Sequence, residues 1–176
     1  MKKFPLLFFF LGTAVMMIVM ARTGAPLKTS ATPLGILDLE FAHSADKVST
    51  VMTAWSAPDG MNRMAAAHTN TYFDFLFLFF YAGFLFLACR KIAATIQGPV
   101  TVWGNRIAAG ALFAGFLDIL ENAGMLVSLG GSVSDGVALF TTVVSVAKWS
   151  LAIVAVLFLL TGLISLGIRR LKGSGS

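Results

Sequence analysis

Charged residues are scarce in this sequence, and cysteine and histidine are scarcer still. Only 12% of the 176 residues are charged, against about 25% in a typical soluble domain. The single cysteine, Cys89, excludes an internal disulfide, a dithiol redox pair and a cysteine-based metal site. The two histidines come with no glycine-rich phosphate loop and no Ser-His-Asp set, so the sequence does not favour phosphotransfer or serine-hydrolase chemistry.

Apolar residues, by contrast, make up 57% of the chain and come in long runs. Four segments approach the roughly 20 residues that a helix needs to cross a bilayer. They are residues 4–20, 72–89, 107–129 and 137–168. Because backbone polar groups in lipid must be satisfied internally, and the alternation of a barrel strand is absent, we predict an all-α, antiparallel bundle of four transmembrane helices.

The two ends of the chain need separate treatment. Segment 4–20 resembles a signal peptide, but its apolar run is long for one, so we expect an uncleaved first helix. Residues 173–176 (GSGS) resemble a linker. We therefore predict one membrane domain over residues 1–172, with residues 21–71 as the large loop between the first two helices.

Basic residues are distributed unevenly along the chain. The two termini and the second loop carry only basic residues, whereas the first and third loops together hold four basic and five acidic residues. The basic set is Lys2, Lys3, Arg90, Lys91, Arg106, Arg169, Arg170 and Lys172. The positive-inside rule then places both termini in the cytoplasm, here of a bacterial inner membrane. The net charge of +5 is thus a signal of topology, and we expect no nucleic-acid partner.

The large loop has one helical pattern. Ser44 is a suitable N-cap, and Val48, Val51, Met52 and Trp55 recur at helical spacing as one apolar stripe. This pattern predicts a short amphipathic helix to about Trp55 that lies on the membrane surface or caps the bundle.

Several polar residues lie inside the apolar segments, where they are costly and therefore candidates for function. They are Asp74, Asp118, Glu121, Asn122 and Lys148. Helical rise places Asp74 roughly 23 Å from Cys89 and Glu121 roughly 22 Å from Arg106, so both fall in the outer half of the bilayer. Asp118, Glu121 and Asn122 share one helix face, which continues as the small residues Ala111 and Gly115 and should therefore pack on another helix.

The charges of this set do not balance. Three carboxylates meet one ammonium, so either some acids hold a proton or a cation completes the site. We therefore predict an outward-facing acidic pocket for a proton, a cation or a small cationic or amphipathic ligand. Two alternatives stay open. In the first, the charges pair internally and the protein is a structural or accessory subunit, which associates with itself or with a protein partner. In the second, the protein is a small intramembrane enzyme in which Asp74 or Glu121 acts as acid or base on a lipid-like substrate.

Metal binding is not predicted, and no cofactor is expected. Glu40 and His43 form a single ExxH pattern in the loop, whereas helical di-metal sites use this pattern on facing helices. His68, just outside the second apolar segment, is expected to be solvated.

The order of LDLEFA (37–42), Trp55, DFLF (74–77) and DILEN (118–122) resembles a group of small bacterial four-helix membrane proteins. The resemblance covers roughly residues 36–126. It implies the four-helix architecture and a bacterial inner-membrane location, and it brings no activity, cofactor or catalytic residue.

Overall fold

The computed structural model describes residues 3–56, 61–96 and 98–173. Within these ranges the chain is helical and contains no strand. The elements in chain order are α1 (Lys3–Gly24), a 3-10 turn (Ala25–Leu27), α2 (Ile36–Glu40), α3 (Ala45–Trp55), α4 (Arg63–Ile96), α5 (Pro99–Leu129) and α6 (Asp135–Gly173). The helices α1, α4, α5 and α6 are long and apolar enough to cross a membrane.

These four helices are longer than the apolar segments that predicted them. Helix α4 has 34 residues rather than the 18 of segment 72–89, and α5 begins at Pro99 rather than at residue 107. Basic residues such as Arg90 and Arg106 lie inside these helices and do not end them. The turn between α4 and α5 occurs instead at Gly98, whose φ of 70° favours glycine, followed by Pro99 in the first helical turn.

The other two long helices also pass their predicted limits. Helix α1 continues past residue 20 to Gly24, and α6 runs from Asp135 to Gly173. Ser134 caps the start of α6, with its hydroxyl accepting a 3.3 Å hydrogen bond from the amide of Val137. Residues 174–176 of the predicted linker lie outside the described residues.

The bundle has an open side between its first and last helices. Helices α4, α5 and α6 pack on one another, and α1 packs on α4. Within the described residues, α1 and α6 do not form one of the closely packed pairs of helices. The contact between α1 and α4 is tight because aromatic rings fill the space above glycines, with Phe80 against Gly12 and Phe9 against Gly83. A groove therefore runs between α1 and α6 along the face of α4.

The helices α2 and α3 lie at one end of the bundle, which we call the loop end; the opposite end, where α1 begins and α6 finishes, is the termini end. Ser44 caps α3 as expected, accepting from the amide of Lys47. The apolar stripe of α3 packs with Met125, Leu129 and Ala138 of the long helices, so α3 caps the bundle. Trp55 is fixed there, because its Nε1 donates to the Leu27 carbonyl at 3.0 Å and to Thr32 Oγ1 at 3.2 Å.

Candidate functional site

Lys148 of α6 is the centre of the polar cluster. Its side chain is buried, and its Nζ lies 3.0 Å from Asp118 Oδ1 and 2.8 Å from each of the two Glu121 oxygens. A third carboxylate, Glu40, is 3.7 Å from the same Nζ. Asp118 and Glu121 reach Lys148 together because they are three residues apart on α5 and project from one face of that helix. The small face of α5 makes the expected close packing, with Gly115 against Ala82 of α4.

Glu40 reaches this depth from the large loop. It ends α2 and is only 5% exposed. Trp149 Nε1 donates to its Oε2 at 3.1 Å, and its backbone carbonyl accepts from Thr142 Oγ1 at 3.1 Å, so α6 holds both parts of the residue. In the sequence, Glu40 was notable only for its ExxH pattern with His43. Its neighbour Asp38 stays local, since its carboxylate accepts from the amide of Leu34 at the start of α2.

Tyr81 of α4 completes the surroundings of Asp118. Its hydroxyl donates to Asp118 Oδ2 at 2.7 Å, so one Asp118 oxygen faces the tyrosine and the other faces Lys148. Tyr81 was not among the residues predicted for the site. A signal was present, because Tyr81 follows Asp74 by seven residues and therefore lies on the same face of α4 two turns away.

The pair of Asp74 and Asn122 forms the other part of the cluster. Asn122 Nδ2 donates to Asp74 Oδ2 at 2.8 Å and so joins α5 to α4. Asn122 is fully buried, and its Oδ1 has no hydrogen-bond partner among the described residues. The structure thus brings all five predicted residues into one region and adds Glu40, Tyr81 and Trp149 to it.

The charge imbalance is larger than the sequence suggested. Three buried carboxylates (Glu40, Asp118 and Glu121) and the half-buried Asp74 share this region with one ammonium, that of Lys148. Unit charges a few ångström apart interact strongly there, so a fully ionised cluster would be costly without added positive charge. Protons on some carboxyl groups or a bound cation would remove the excess.

A cavity of about 480 Å³ borders the cluster on the side of the groove. Most of its wall is apolar, with Met17 and Met20 from α1, Phe77 from α4 and Val156 from α6. Its polar residues are Thr13, Glu40, Asn70, Thr71, Asp74, Tyr81, Asp118, Lys148 and Trp149. Glu121 and Asn122 lie behind this wall, with 0% exposure. Of the predicted site residues, Asp74, Asp118 and Lys148 therefore face the cavity, and Glu121 and Asn122 support them from behind.

A second cavity of about 850 Å³ continues the groove towards the termini end. Apolar residues of α1, α4 and α6 line it, among them Phe10, Ala88 and Leu163, and Lys91 and Thr95 are its polar residues. Phe84 borders both cavities. The groove is thus apolar along most of its length and acidic at one end.

The residues of the single ExxH pattern separate in the structure. Glu40 is buried against Lys148, whereas His43 is exposed. In the part of the chain that the structure describes, no three His, Cys, Asp or Glu side chains are grouped so that they could hold a metal ion. His68 is partly exposed on α4 and stacks near Tyr72, with 6.5 Å between the ring centroids.

A comparison with protein-family models, with curated proteins and with solved structures finds no match to this chain. Its function must therefore be inferred from the site.

Proposed function

We propose that this protein is a membrane-embedded binding protein whose acidic pocket takes up protons or a small cationic, amphipathic ligand. It lies in a bacterial inner membrane with both termini in the cytoplasm, so that the loop end and the pocket face outward. One observation carries the proposal: an apolar cavity of about 480 Å³ meets a cluster in which carboxylates outnumber the lysine.

The shape and charge of the pocket support a ligand with two parts. The apolar wall suits a hydrocarbon or aromatic body, as in most small-molecule sites. The carboxylates of Asp74 and Glu40 suit a positive charge, and Lys148 is already surrounded by acids and cannot neutralise the rest. A ligand that binds the folded protein only would stabilise it by about 2.7 kcal/mol at 100 times its Kd.

Thermal unfolding of the purified protein in lipid nanodiscs tests the proposal. Lipophilic cations such as tetraphenylphosphonium and dodecylamine should raise the Tm of the wild type, and Asp74→Asn should remove most of that shift. Asp46→Asn is the matched control, because Asp46 is an exposed residue of α3 and the change in charge is the same. The proposal is wrong if every cation and every change of pH shifts the Tm of the wild type and the Tm of Asp74→Asn equally, or shifts neither.

A structural role is the second candidate, and the contacts of Lys148 favour it. Buried ion pairs on different helices fix which faces pack together, and here one lysine joins α6 to α5 and α2. In that case the protein would be an accessory subunit, alone or with a partner, and the cavity would hold only lipid chains. Cations would then leave the Tm of the folded protein unchanged.

Catalysis on a lipid-like substrate requires an apolar space that reaches a carboxyl group. The cavity at Asp74 provides that space. Binding of an uncharged lipid in preference to a cation, lost in Asp74→Asn, would favour this third possibility.

A further inference from the structure

Asn70 of α4 is a polar residue of the cavity that the charge cluster does not use. It is 1% exposed, and it precedes Asp74 by one helical turn, so the two side chains are neighbours on one face of α4. Its Nδ2 donates to the Met20 carbonyl at 3.1 Å and to Thr23 Oγ1 at 2.7 Å, both on α1. Its Oδ1 has no hydrogen-bond partner among the described residues.

A buried acceptor without a donor is uncommon in folded proteins and costs stability. Here the unpaired Oδ1 belongs to a cavity residue, and one turn along α4 the same cavity is lined by another acceptor, Asp74. What this corner of the cavity lacks is therefore a group that donates several hydrogen bonds and carries a positive charge.

A protonated primary amine has both properties, since an ammonium group offers three N–H donors and no acceptor. A quaternary ammonium has the charge but no donor, and proteins recognise it with aromatic faces instead. It would leave the Asn70 Oδ1 unpaired. The corner between Asn70 and Asp74 thus favours the primary amine.

The groove indicates the rest of the ligand. From Asp74 to Lys91, at the far end of the second cavity, α4 rises roughly 25 Å, and the wall between is mostly apolar and passes Phe84. Because α1 and α6 are not closely packed in the described residues, the groove faces the lipid along its side. A long hydrocarbon chain can therefore enter from the bilayer and lie along α4.

We propose that the ligand is a single-chain amphiphile with a primary amine, whose ammonium sits between Asn70 and Asp74 and whose chain follows the groove between α1 and α6. This inference rests on the proposed function and adds the chemical class of the head and the path of the chain.

Binding of three compounds with hydrocarbon chains of equal length tests the head group: hexadecylamine, hexadecyltrimethylammonium and hexadecanol. Each is titrated into nanodiscs that contain the protein. The wild type should bind the amine about 10-fold or more tightly than the trimethylammonium compound, which is the usual effect of a hydrogen bond to a charged group. Asn70→Leu should reduce that preference, because the ammonium then keeps only Asp74 as an acceptor. Thr23→Val is the control, because it removes one of the two hydrogen bonds between Asn70 and α1 but keeps the Oδ1.

The path of the chain has its own matched pair of variants. Leu163 lines the second cavity, whereas Leu160 is similarly exposed on α6 but does not line it. Leu163→Trp should weaken binding of hexadecylamine several-fold and leave a short amine such as hexylamine unaffected. Leu160→Trp should change neither.

The outcomes separate the two proposals. Equal affinity for the amine and the trimethylammonium compound in the wild type would overturn the head-group inference and leave cation binding intact. No saturable binding of either cation would overturn the head-group inference and the binding of an amphipathic cation together. If Asn70→Leu does not fold, the selectivity of the wild type still decides. Equal effects of Leu163→Trp and Leu160→Trp on hexadecylamine binding would overturn the proposed path of the hydrocarbon chain.

Discussion

Replacing Lys148 with methionine should destabilise the protein strongly, because it removes the one ammonium of the cluster while keeping a side chain of similar length. Asp118 and Glu121, which are 1% and 0% exposed, would lose their contacts of 3.0 and 2.8 Å, and Glu40 would lose its weaker one. Breaking a buried pair by removing one partner typically costs about 3–5 kcal/mol. The loss should shrink at low pH, because protonation of the carboxylates removes the unpaired negative charge.

Unfolding of the purified protein in mixed micelles, by a denaturing detergent or by heat, measures this change. Lys47→Met is the matched control: Lys47 is exposed on α3, and its loss should cost about 1 kcal/mol or less. The triple variant Lys148→Met/Asp118→Asn/Glu121→Gln should recover most of the stability, since it leaves no charge unpaired on α5. A loss in Lys148→Met no larger than in Lys47→Met, or a triple variant no more stable than the single one, would refute the reasoning.

Three further predictions concern the bundle around the site. Trp55→Phe should lower the free energy of unfolding by about 1–2 kcal/mol, because it removes the donor to Leu27 and Thr32; an equal Tm for variant and wild type would contradict this. Gly12→Ala should cost about 1–3 kcal/mol through overlap with Phe80, whereas Gly136→Ala, with open space around it, should cost far less; equal losses would show that α1 packs loosely. In a Cys89→Ala background, the new thiol of Lys28→Cys should react in intact cells with a membrane-impermeant maleimide, and that of Lys91→Cys should not. The reverse pattern would show that the topology is inverted.

Composition and hydropathy were sufficient to predict the four long helices. They did not determine where the helices end. The turn between α4 and α5 is formed by Gly98 and Pro99, whereas the prediction followed the apolar runs, which stop before Arg90 and resume after Arg106. The short helix α3 was well defined in the sequence because Ser44 and the apolar stripe are local signals.

The candidate site was predicted only in part, for a similar reason. Helix periodicity places Asp118 and Glu121 on one face, and depth brings Lys148 to their level. The part played by Glu40 depends on how the large loop folds over the bundle, which no local pattern indicates. The unpaired Oδ1 of Asn70 depends on the packing of α1 against α4, so only the structure reveals it.

Calorimetric titration of hexadecylamine into nanodiscs that contain the protein, compared with empty nanodiscs, tests the central claim most directly. Cation binding in the acidic pocket predicts a saturable signal of one ligand per chain, which Asp74→Asn loses and Asp46→Asn retains. A signal that matches the empty nanodiscs, or one that Asp74→Asn leaves unchanged, would contradict it.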